Sequence, residues 1–183
     1  MTKDHAAAMK GIVAAEELHN FSGPDVHDLC EATEAAIKAG GGFGWIDVPE
    51  RDVMERYWRG VMAMPDRSLI VGRLDGTISG SVQLVRAPSS NQAQSFAVTL
   101  ATFFVAPWAQ RMGVGRAILQ GGISRAQVER FKVINLSIRE TQQAAIHLFE
   151  AHGFKCWGRQ DKYAQVGGTI IPGRHYTLDL EES

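Results

Sequence analysis

Apolar residues at helical spacing predict two helices in the first third of the chain. The first begins at residues 22–25, where a serine, a proline and an acid have the composition of a helix start. Thr33 is the one polar residue on its apolar stripe, and glycines 40–42 end it. A second helix is predicted from Pro49 to about Met64, with a stripe formed by Val53, Tyr57, Val61 and Met64.

From residue 67 onward the pattern becomes that of strands. The segment RSLIVGRLDGTISGSVQLV predicts two strands joined at Asp75 and Gly76, because both central residues of a tight type I′ turn need positive φ. The polar segment RAPSSNQAQS predicts a loop. The next segment, FAVTLATFFV, is nearly all apolar, which predicts a central strand.

Strands and helices alternate in the second half of the chain. A helix is predicted from the glycines of MGVGR to about Phe131, followed by the strand KVINLSI. Thr141 is predicted to cap a short helix from Gln142 to Ala151, which Gly153 ends. Two closing strands lie in FKCWGRQDKYAQV and RHYTLDL, separated by a turn at Gly167 and Gly168.

This order of elements predicts a mixed α/β fold with helices packed on a central sheet. We find no internal repeat and no linker long enough to divide the chain, so residues 1–183 are predicted to form a single domain. Gly121 and Gly122 lie within a predicted helix, where each costs roughly 1 kcal/mol relative to alanine. A close approach of that helix to the sheet would explain them.

Composition narrows the class of partner. A net charge of −1 argues against nucleic-acid binding, which needs a basic surface. The first twenty residues carry Asp4, Glu16 and Glu17 and do not resemble a signal peptide, and no apolar run is long enough for a membrane span. Cys30 and Cys156 lack metal-ligand or redox spacing, so we expect reduced thiols and a cytoplasmic protein.

The segment VAPWAQRMGVGRAIL places two glycines between a strand and a helix. Such a turn exposes backbone N–H groups at a helix start, where a phosphate group can approach and the helix dipole favours its charge. A glycine turn that merely reverses the chain is the alternative. A P-loop is excluded because no GxxxxGK[ST] occurs, and the dinucleotide fingerprint is excluded because position 118 is isoleucine.

The six residues Gln110 to Gly115 match the pattern Q/R-x-x-G-x-G/A and resemble the acetyl-CoA pyrophosphate signature of GNAT-type N-acetyltransferases. About 30 residues downstream, AAIHLFEAHGF resembles the second signature of that superfamily. The resemblance implies the acyl-CoA N-acyltransferase (GNAT) fold, with a mixed, mostly antiparallel sheet. It also implies acetyl-CoA as cosubstrate, bound by Phe103, Phe104, Val105, Gln110, Arg111, Met112, Gly113, Val114, Gly115, Arg116, Gln142 and Phe149.

In this resemblance the backbone of Phe103 and Val105 would pair with the pantetheine amides, and the N–H groups of residues 110–115 would hold the pyrophosphate. The thioester would lie where the strand FAVTLATFFV parts from KVINLSI. Gln142 stands where the superfamily usually has asparagine, and Phe149 stands where it usually has the tyrosine that protonates the departing thiolate. Plain core packing is the alternative for Phe149.

The catalytic base is not evident in the sequence. The central strand has Thr99 and Thr102 where the superfamily often has glutamate, so Glu140 and Tyr163 are the candidate bases. The alternatives are that Glu140 is only a solvated surface residue and that Tyr163 only packs in the fold. His147 and His152 are five residues apart, which does not suit a metal pair on one helix face, so we predict no metal.

These features predict transfer of an acetyl group from acetyl-CoA to a primary amine by direct attack. A small-molecule acceptor is favoured over a protein amino group. The alternative is a CoA-binding or sensing module without turnover, suggested by the missing acid and base. The predicted partners are acetyl-CoA and a small amine, without nucleic acid or membrane, and a homodimer stays open.

Overall fold

A computed structural model of the protein describes residues 11–41 and 44–181. Within these ranges the helices are α1 (Asp25–Lys38), α2 (Arg51–Ala63), α3 (Val114–Val128) and α4 (Gln143–Ala151). The strands are β1 (Val13–Leu18), β2 (Arg67–Leu74), β3 (Thr77–Arg86), β4 (Ala97–Val105), β5 (Val133–Arg139), β6 (Lys155–Val166) and β7 (Thr169–Asp179).

The strands form one seven-stranded sheet in the order β1-β2-β3-β4-β5-β7-β6. Neighbouring strands are antiparallel except β4 and β5, which are parallel. The mixed, mostly antiparallel sheet is therefore confirmed, and β4 lies at its centre as predicted. Both predicted turns are also present, with positive φ at Asp75 (50°), Gly76 (86°), Gly167 (55°) and Gly168 (82°).

Two apolar cores cover the two faces of the sheet. Helices α3 and α4 pack on one face around Ile118 and Phe149, and helices α1 and α2 pack on the other around Leu29 and Trp58. Successive residues of the central strands point alternately into the two cores, because side chains alternate between the faces of a strand. Along the described parts of the chain, no helix has the length and apolar character needed to span a membrane.

Helix α3 approaches the sheet closely through its two interior glycines. A Cβ built on Gly121 would lie 3.2 Å from Ile70 Cγ2, and one on Gly122 would lie 3.4 Å from Val82 Cγ1. Larger side chains would push the helix away from the sheet. Close packing of α3 on the sheet therefore explains why glycine occurs at these positions despite its low helical propensity, as the sequence suggested.

Helix α2 buries a different stripe from the one predicted. Met54, Trp58 and Val61 are its buried residues, whereas Val53 and Met64 are 37% and 45% exposed. The stripe is displaced by one residue over most of its length because Trp58 removes the largest apolar surface from water when it faces the core.

The edge strand β1, the start of α4 and the end of α1 were not predicted in full. Strand β1 was missed because VAAEEL is rich in strong helix formers; at the sheet edge, the carboxylates of Glu16 and Glu17 pair with Arg73 and Arg125 instead. Thr141 does not cap α4, since Gln142 occupies the N-cap position without a side-chain hydrogen bond. Gly42, predicted to help end α1, lies outside the described residues.

Candidate active site

Strands β4 and β5 pair only at one end. Ala97–Thr99 of β4 pair with Val133–Asn135 of β5, and the strands separate beyond that point. A shift in the β3–β4 register falls in the same part of β4, where Thr102 has a φ of +52°. This β-bulge bends the strand and leaves backbone groups of β4 without a ladder partner on the β5 side. The structure thus opens a cleft where the sequence predicted one.

A first cavity of about 520 Å³ lies beside the end of β4 and the start of α3. We call it the cofactor cavity. Nine predicted cofactor residues line it: Phe103, Phe104, Val105, Gln110, Arg111, Gly113, Gly115, Arg116 and Gln142. Its other walls come from α1 and α4 and were not predicted as lining, namely Ala36, Ala39, Gly41, Ala144, Ala145 and Leu148.

Three predicted cofactor residues do not line this cavity. The side chain of Met112 is 44% exposed, and that of Val114 is fully buried in the α3 core. Their side chains contribute nothing to the cavity wall, so any role they have rests on backbone N–H groups. Phe149 lines a second, adjoining cavity instead. Signature matching assigns a stretch of chain, whereas alternation of side chains decides which of its residues face the ligand.

The turn before α3 has the geometry of an anion cradle. Arg111 and Gly113 have positive φ (64° and 97°), and no side chain caps the helix at Gly113. The first N–H groups of a helix have no intrahelical partner, so those of α3 are available to an anion. A Cβ on Gly113 would meet no atom within 4 Å, which leaves room for a ligand against the backbone. Arg111 and Arg116 line the same space.

Side-chain amides hold the walls of the cofactor cavity in place. Gln110 Nε2 donates a hydrogen bond to the Val105 carbonyl oxygen at 3.2 Å, joining the glycine turn to the end of β4. Gln142 Nε2 donates to the Gly40 carbonyl oxygen at 2.8 Å. The Arg139 guanidinium donates to the carbonyl oxygen of the neighbouring Gly41. Gln142 therefore acts as a brace between α4 and the end of α1.

A second cavity, of about 550 Å³, lies on the other side of the cleft, and we call it the acceptor cavity. It is lined by β4, β5, β6 and the segment containing Gly44 and Ile46. The two cavities share Phe103, Gln142 and Ala145. They meet where β4 and β5 part, so a group bound in one can reach a group bound in the other.

Phe149 is both a core residue and a wall of the acceptor cavity. Its side chain is 1% exposed, and its ring packs 5.2 Å from Phe103 and 5.6 Å from Phe154, measured between centroids. The edge-on contact with Phe103 places Phe149 next to one of the residues shared by both cavities. Its side chain lines the acceptor cavity near the junction of the two cavities and has no proton to donate.

The environment of Glu140 argues against its use as the base. Its Oε1 accepts hydrogen bonds from Arg159 Nε at 2.8 Å and Arg174 Nε at 2.9 Å. Hydrogen bonds from these guanidinium groups lower the pKa of Glu140. A carboxylate with a lowered pKa is a weaker proton acceptor, and Glu140 does not line either cavity. We therefore assign it a structural role joining β5, β6 and β7.

Tyr163, the other candidate, lies in the wall of the acceptor cavity. Its ring packs on the backbone of Gly173, where a Cβ would fall 2.2 Å from Tyr163 Cγ. Burial raises the pKa of its phenol, and the charge of Arg139 opposes this only in part. Tyr163 thus keeps its proton at neutral pH and offers the cavity a hydroxyl donor rather than a base.

Sequence reasoning missed a serine–histidine pair at this site. Ser137 lines the acceptor cavity, and its Oγ lies 2.7 Å from His175 Nδ1. The two residues are 38 positions apart, in segments that were predicted only as strands. Only the pairing of β5 with β7 brings them together, so no local motif could have found them.

Comparisons with known proteins identify the family and the fold of the chain. Residues 30–154 match the model of the acetyltransferase (GNAT) family. The chain belongs to that family. It is also 50% identical over 131 residues to a protein of Azospirillum brasilense named "Uncharacterized N-acetyltransferase in hisH-hisA intergenic region", covering 72% of this chain and 78% of the relative.

Solved structures of family members share the fold. The structure of yncA from Salmonella typhimurium, with its cofactor acetyl-CoA, superposes with a TM-score of 0.75 at 17% identity, covering 93% of this chain and 95% of the other. An N-acetyltransferase from Staphylococcus aureus Mu50 gives 0.78 at 16% identity, covering 92% and 99%. The predicted GNAT fold and the predicted membership in a family of acetyltransferases are thereby confirmed.

Proposed function

We propose that this GNAT protein transfers the acetyl group of acetyl-CoA to the primary amine of a small molecule by direct attack of the amine. The observation that carries the proposal is the meeting of two cavities at Phe103, Gln142 and Ala145, where β4 and β5 part. One cavity suits a long phosphorylated ligand and the other a compact acceptor. Direct transfer requires both reactants in contact, and this arrangement supports it.

The cofactor cavity fits acetyl-CoA, which is the second substrate of the reaction. Free N–H groups at the start of α3, with Arg111 and Arg116, would hold the pyrophosphate. The edge of β4 near Phe103 and Val105 that does not pair with β5 would bind the pantetheine amides as an added strand does. When bound, acetyl-CoA supplies the thioester carbon that the amine attacks and the thiolate that leaves.

The acceptor cavity has the size of a small-molecule site, since such sites span about 300–1,000 Å³. Its polar lining includes Thr99, Ser137 and Gln165, and Arg139 is the only charged side chain among the described residues that line it. A cavity of this volume and mixed polarity favours a small amine over a protein segment. The cytoplasmic location and a homodimer stay predictions.

The acceptor amine must lose a proton before it attacks. An amine with a pKa of about 10.4 is almost fully protonated at pH 7. Forming the neutral, reactive amine at that pH therefore costs about 4.6 kcal/mol. The departing thiol, with a pKa of about 8.5, leaves readily as an anion. Deprotonation of the amine is therefore the harder of the two proton transfers.

We expect the substitution Phe149→Tyr to raise turnover by less than about tenfold, although general acids typically contribute 10²–10⁴-fold. The new hydroxyl would lie beside Phe103 at the junction of the cavities, but protonation of the thiolate is not the limiting demand. Acetyl-CoA affinity should barely change. Steady-state kinetics with an accepted amine test this, and a gain of a hundredfold or more would show that thiolate protonation limits the wild-type rate.

We expect acetyl-CoA and CoA to raise the melting temperature, whereas NAD and ATP do so little. A ligand at about 100 times its dissociation constant adds roughly 2.7 kcal/mol to the free energy of unfolding. The turn at Gly113–Gly115 lacks the features of a dinucleotide or P-loop site, which gives the selectivity. Thermal melts with the four ligands at equal concentration make the test, and equal shifts with NAD or ATP would contradict the assignment.

A CoA-binding module without turnover is the second candidate function, favoured by Phe149 and by the ion-paired state of Glu140. Such a module would give the same melting shifts with acetyl-CoA. It would release no CoA thiol when amines are added, which separates it from the enzyme.

A further inference from the structure

Ser137, in the wall of the acceptor cavity, and its hydrogen-bond partner His175 carry an inference about the missing base, which rests on the proposed acetyl transfer. Ser137 on β5 and His175 on β7 face each other directly across an antiparallel strand pair. Directly opposed residues project to the same face of a sheet. Ser137 Oγ and His175 Nδ1 are 2.7 Å apart, within hydrogen-bond distance. We propose that this pair is a proton relay that takes a proton from the acceptor amine.

Aromatic neighbours hold the His175 ring in a defined orientation. The Trp157 ring stacks on it, with centroids 5.1 Å apart and an interplanar angle of 28°. The Tyr163 ring meets it edge-on at 6.0 Å and 80°. Gly158 is the register partner of His175 on β6, and its backbone lies beside the imidazole, since a Cβ there would be in van der Waals contact with His175 Cδ2 at 3.8 Å. The ring is packed so that Nδ1 points to Ser137.

The charged and titratable groups around the pair leave the imidazole as the available base. Tyr163 on β6 keeps its proton, because burial raises the pKa of the phenol. Arg139 lies two residues from Ser137 on the same face of β5 and is cationic. Glu140 is held by Arg159 of β6 and Arg174 of β7. Imidazole is the side chain that most often acts as a general acid or base in enzymes.

The relay works as two linked proton transfers. The ammonium group of the acceptor gives one proton to Ser137 Oγ as the Ser137 hydroxyl proton passes to His175 Nδ1, which leaves a neutral amine and an imidazolium. The amine nitrogen then forms a bond to the thioester carbon and the carbon–sulfur bond breaks. The second amine proton goes to the CoA thiolate, and the imidazolium returns its proton to water. Ser137 touches the acceptor, and His175 acts through Ser137.

The pH dependence of kcat/KM in the variants His175→Asn and Ser137→Ala tests the relay. Asparagine retains a polar group near the position of Nδ1 but cannot take the proton. We expect each variant to lose about 10²-fold at pH 7, within the range for general bases. Wild-type activity should depend less on pH than that of His175→Asn, because the relay removes the amine proton. The activity of His175→Asn should keep rising about tenfold per pH unit toward the pKa of the amine, so the difference shrinks near pH 9.

Controls separate the relay from loss of structure. Ser137→Thr keeps a hydroxyl and should restore most of the activity, and His147→Gln changes an exposed histidine of α4 with no effect. CoA affinity and melting temperature should stay near wild type in all four variants. The double variant Ser137→Ala/His175→Asn should be no worse than either single change, because the two residues act as a unit.

The outcomes also distinguish failure of the relay from failure of the proposed acetyl transfer. If the wild type releases no CoA thiol with any amine, the proposed function fails. If the wild type is active and His175→Asn keeps both the rate and the wild-type pH profile, the relay is wrong. An acetyl group found on Ser137 by mass spectrometry after incubation with acetyl-CoA alone would also overturn it, because Ser137 would then be a nucleophile.

Discussion

The substitution Gly115→Asp is expected to weaken acetyl-CoA binding at least about a hundredfold while the protein stays folded. Gly115 is the second residue of α3 and lines the cofactor cavity. A Cβ there would already touch Leu148, Val105 and Phe103 at 3.4–3.5 Å. The rest of the aspartate would extend into the space for the pyrophosphate, where like charges repel at a cost of several kcal/mol. A hundredfold loss corresponds to about 2.7 kcal/mol.

The fold should tolerate this change, because a carboxylate in the first turn of a helix interacts favourably with the helix dipole. Calorimetric titration with acetyl-CoA measures the affinity, and circular dichroism with thermal melts reports the fold. Gly115→Ala is the matched control, since it adds the Cβ without charge and should bind more weakly than wild type but much better than the aspartate. Wild-type affinity in a folded Gly115→Asp protein would mean that the turn only reverses the chain.

Trp58→Ala should lower the free energy of unfolding by about 3–5 kcal/mol, the usual cost of removing a large buried aromatic side chain. Trp58 is 0% exposed, its Nε1 donates to Thr33 Oγ1 at 3.2 Å, and its ring lies 6.2 Å from that of Phe104. The substitution leaves a cavity between α2 and the sheet and removes a partner of a buried hydroxyl. Urea unfolding curves measure the loss from the midpoint and slope.

Trp157→Ala serves as the control for this second prediction. Trp157 is 67% exposed, so the loss should be about 1 kcal/mol or less, mainly from its stacking on His175. A loss below about 1 kcal/mol for Trp58→Ala, or equal losses for both tryptophans, would contradict the packing of the α1–α2 core.

Local chemistry explains why much of the fold was predictable. The turn at Asp75–Gly76 requires positive φ at both central residues, and the apolar run of β4 has no stable place except the middle of a sheet. Strand β1 and the buried face of α2 were missed for the opposite reason, because tertiary packing decided them. The chain's Glu16 and Glu17 suit a helix by propensity, yet arginines on β2 and α3 hold them at the sheet edge.

The candidate site also has one part that the sequence could predict and one part that it could not. The cradle at Gly113 and Gly115 was recognisable because contiguous backbone forms it, and a contiguous motif leaves a sequence signature. The acceptor side depends on which strands pair, so Ser137 and His175 carry no mutual signal until β5 lies beside β7. Glu140 was one of two candidate bases in the sequence, but its two guanidinium partners come from β6 and β7 and could not be predicted from the residues near it in the chain.

Amine-dependent transfer of the acetyl group tests the central claim most directly. The wild-type protein is incubated with isotopically labelled acetyl-CoA and a panel of small primary amines, and CoA thiol release and acetylated amine are measured together. We expect equal amounts of thiol and labelled amide for at least one amine, and almost no thiol without an amine. Tight acetyl-CoA binding with no labelled amide from any amine would contradict the account and would identify a CoA-binding module instead.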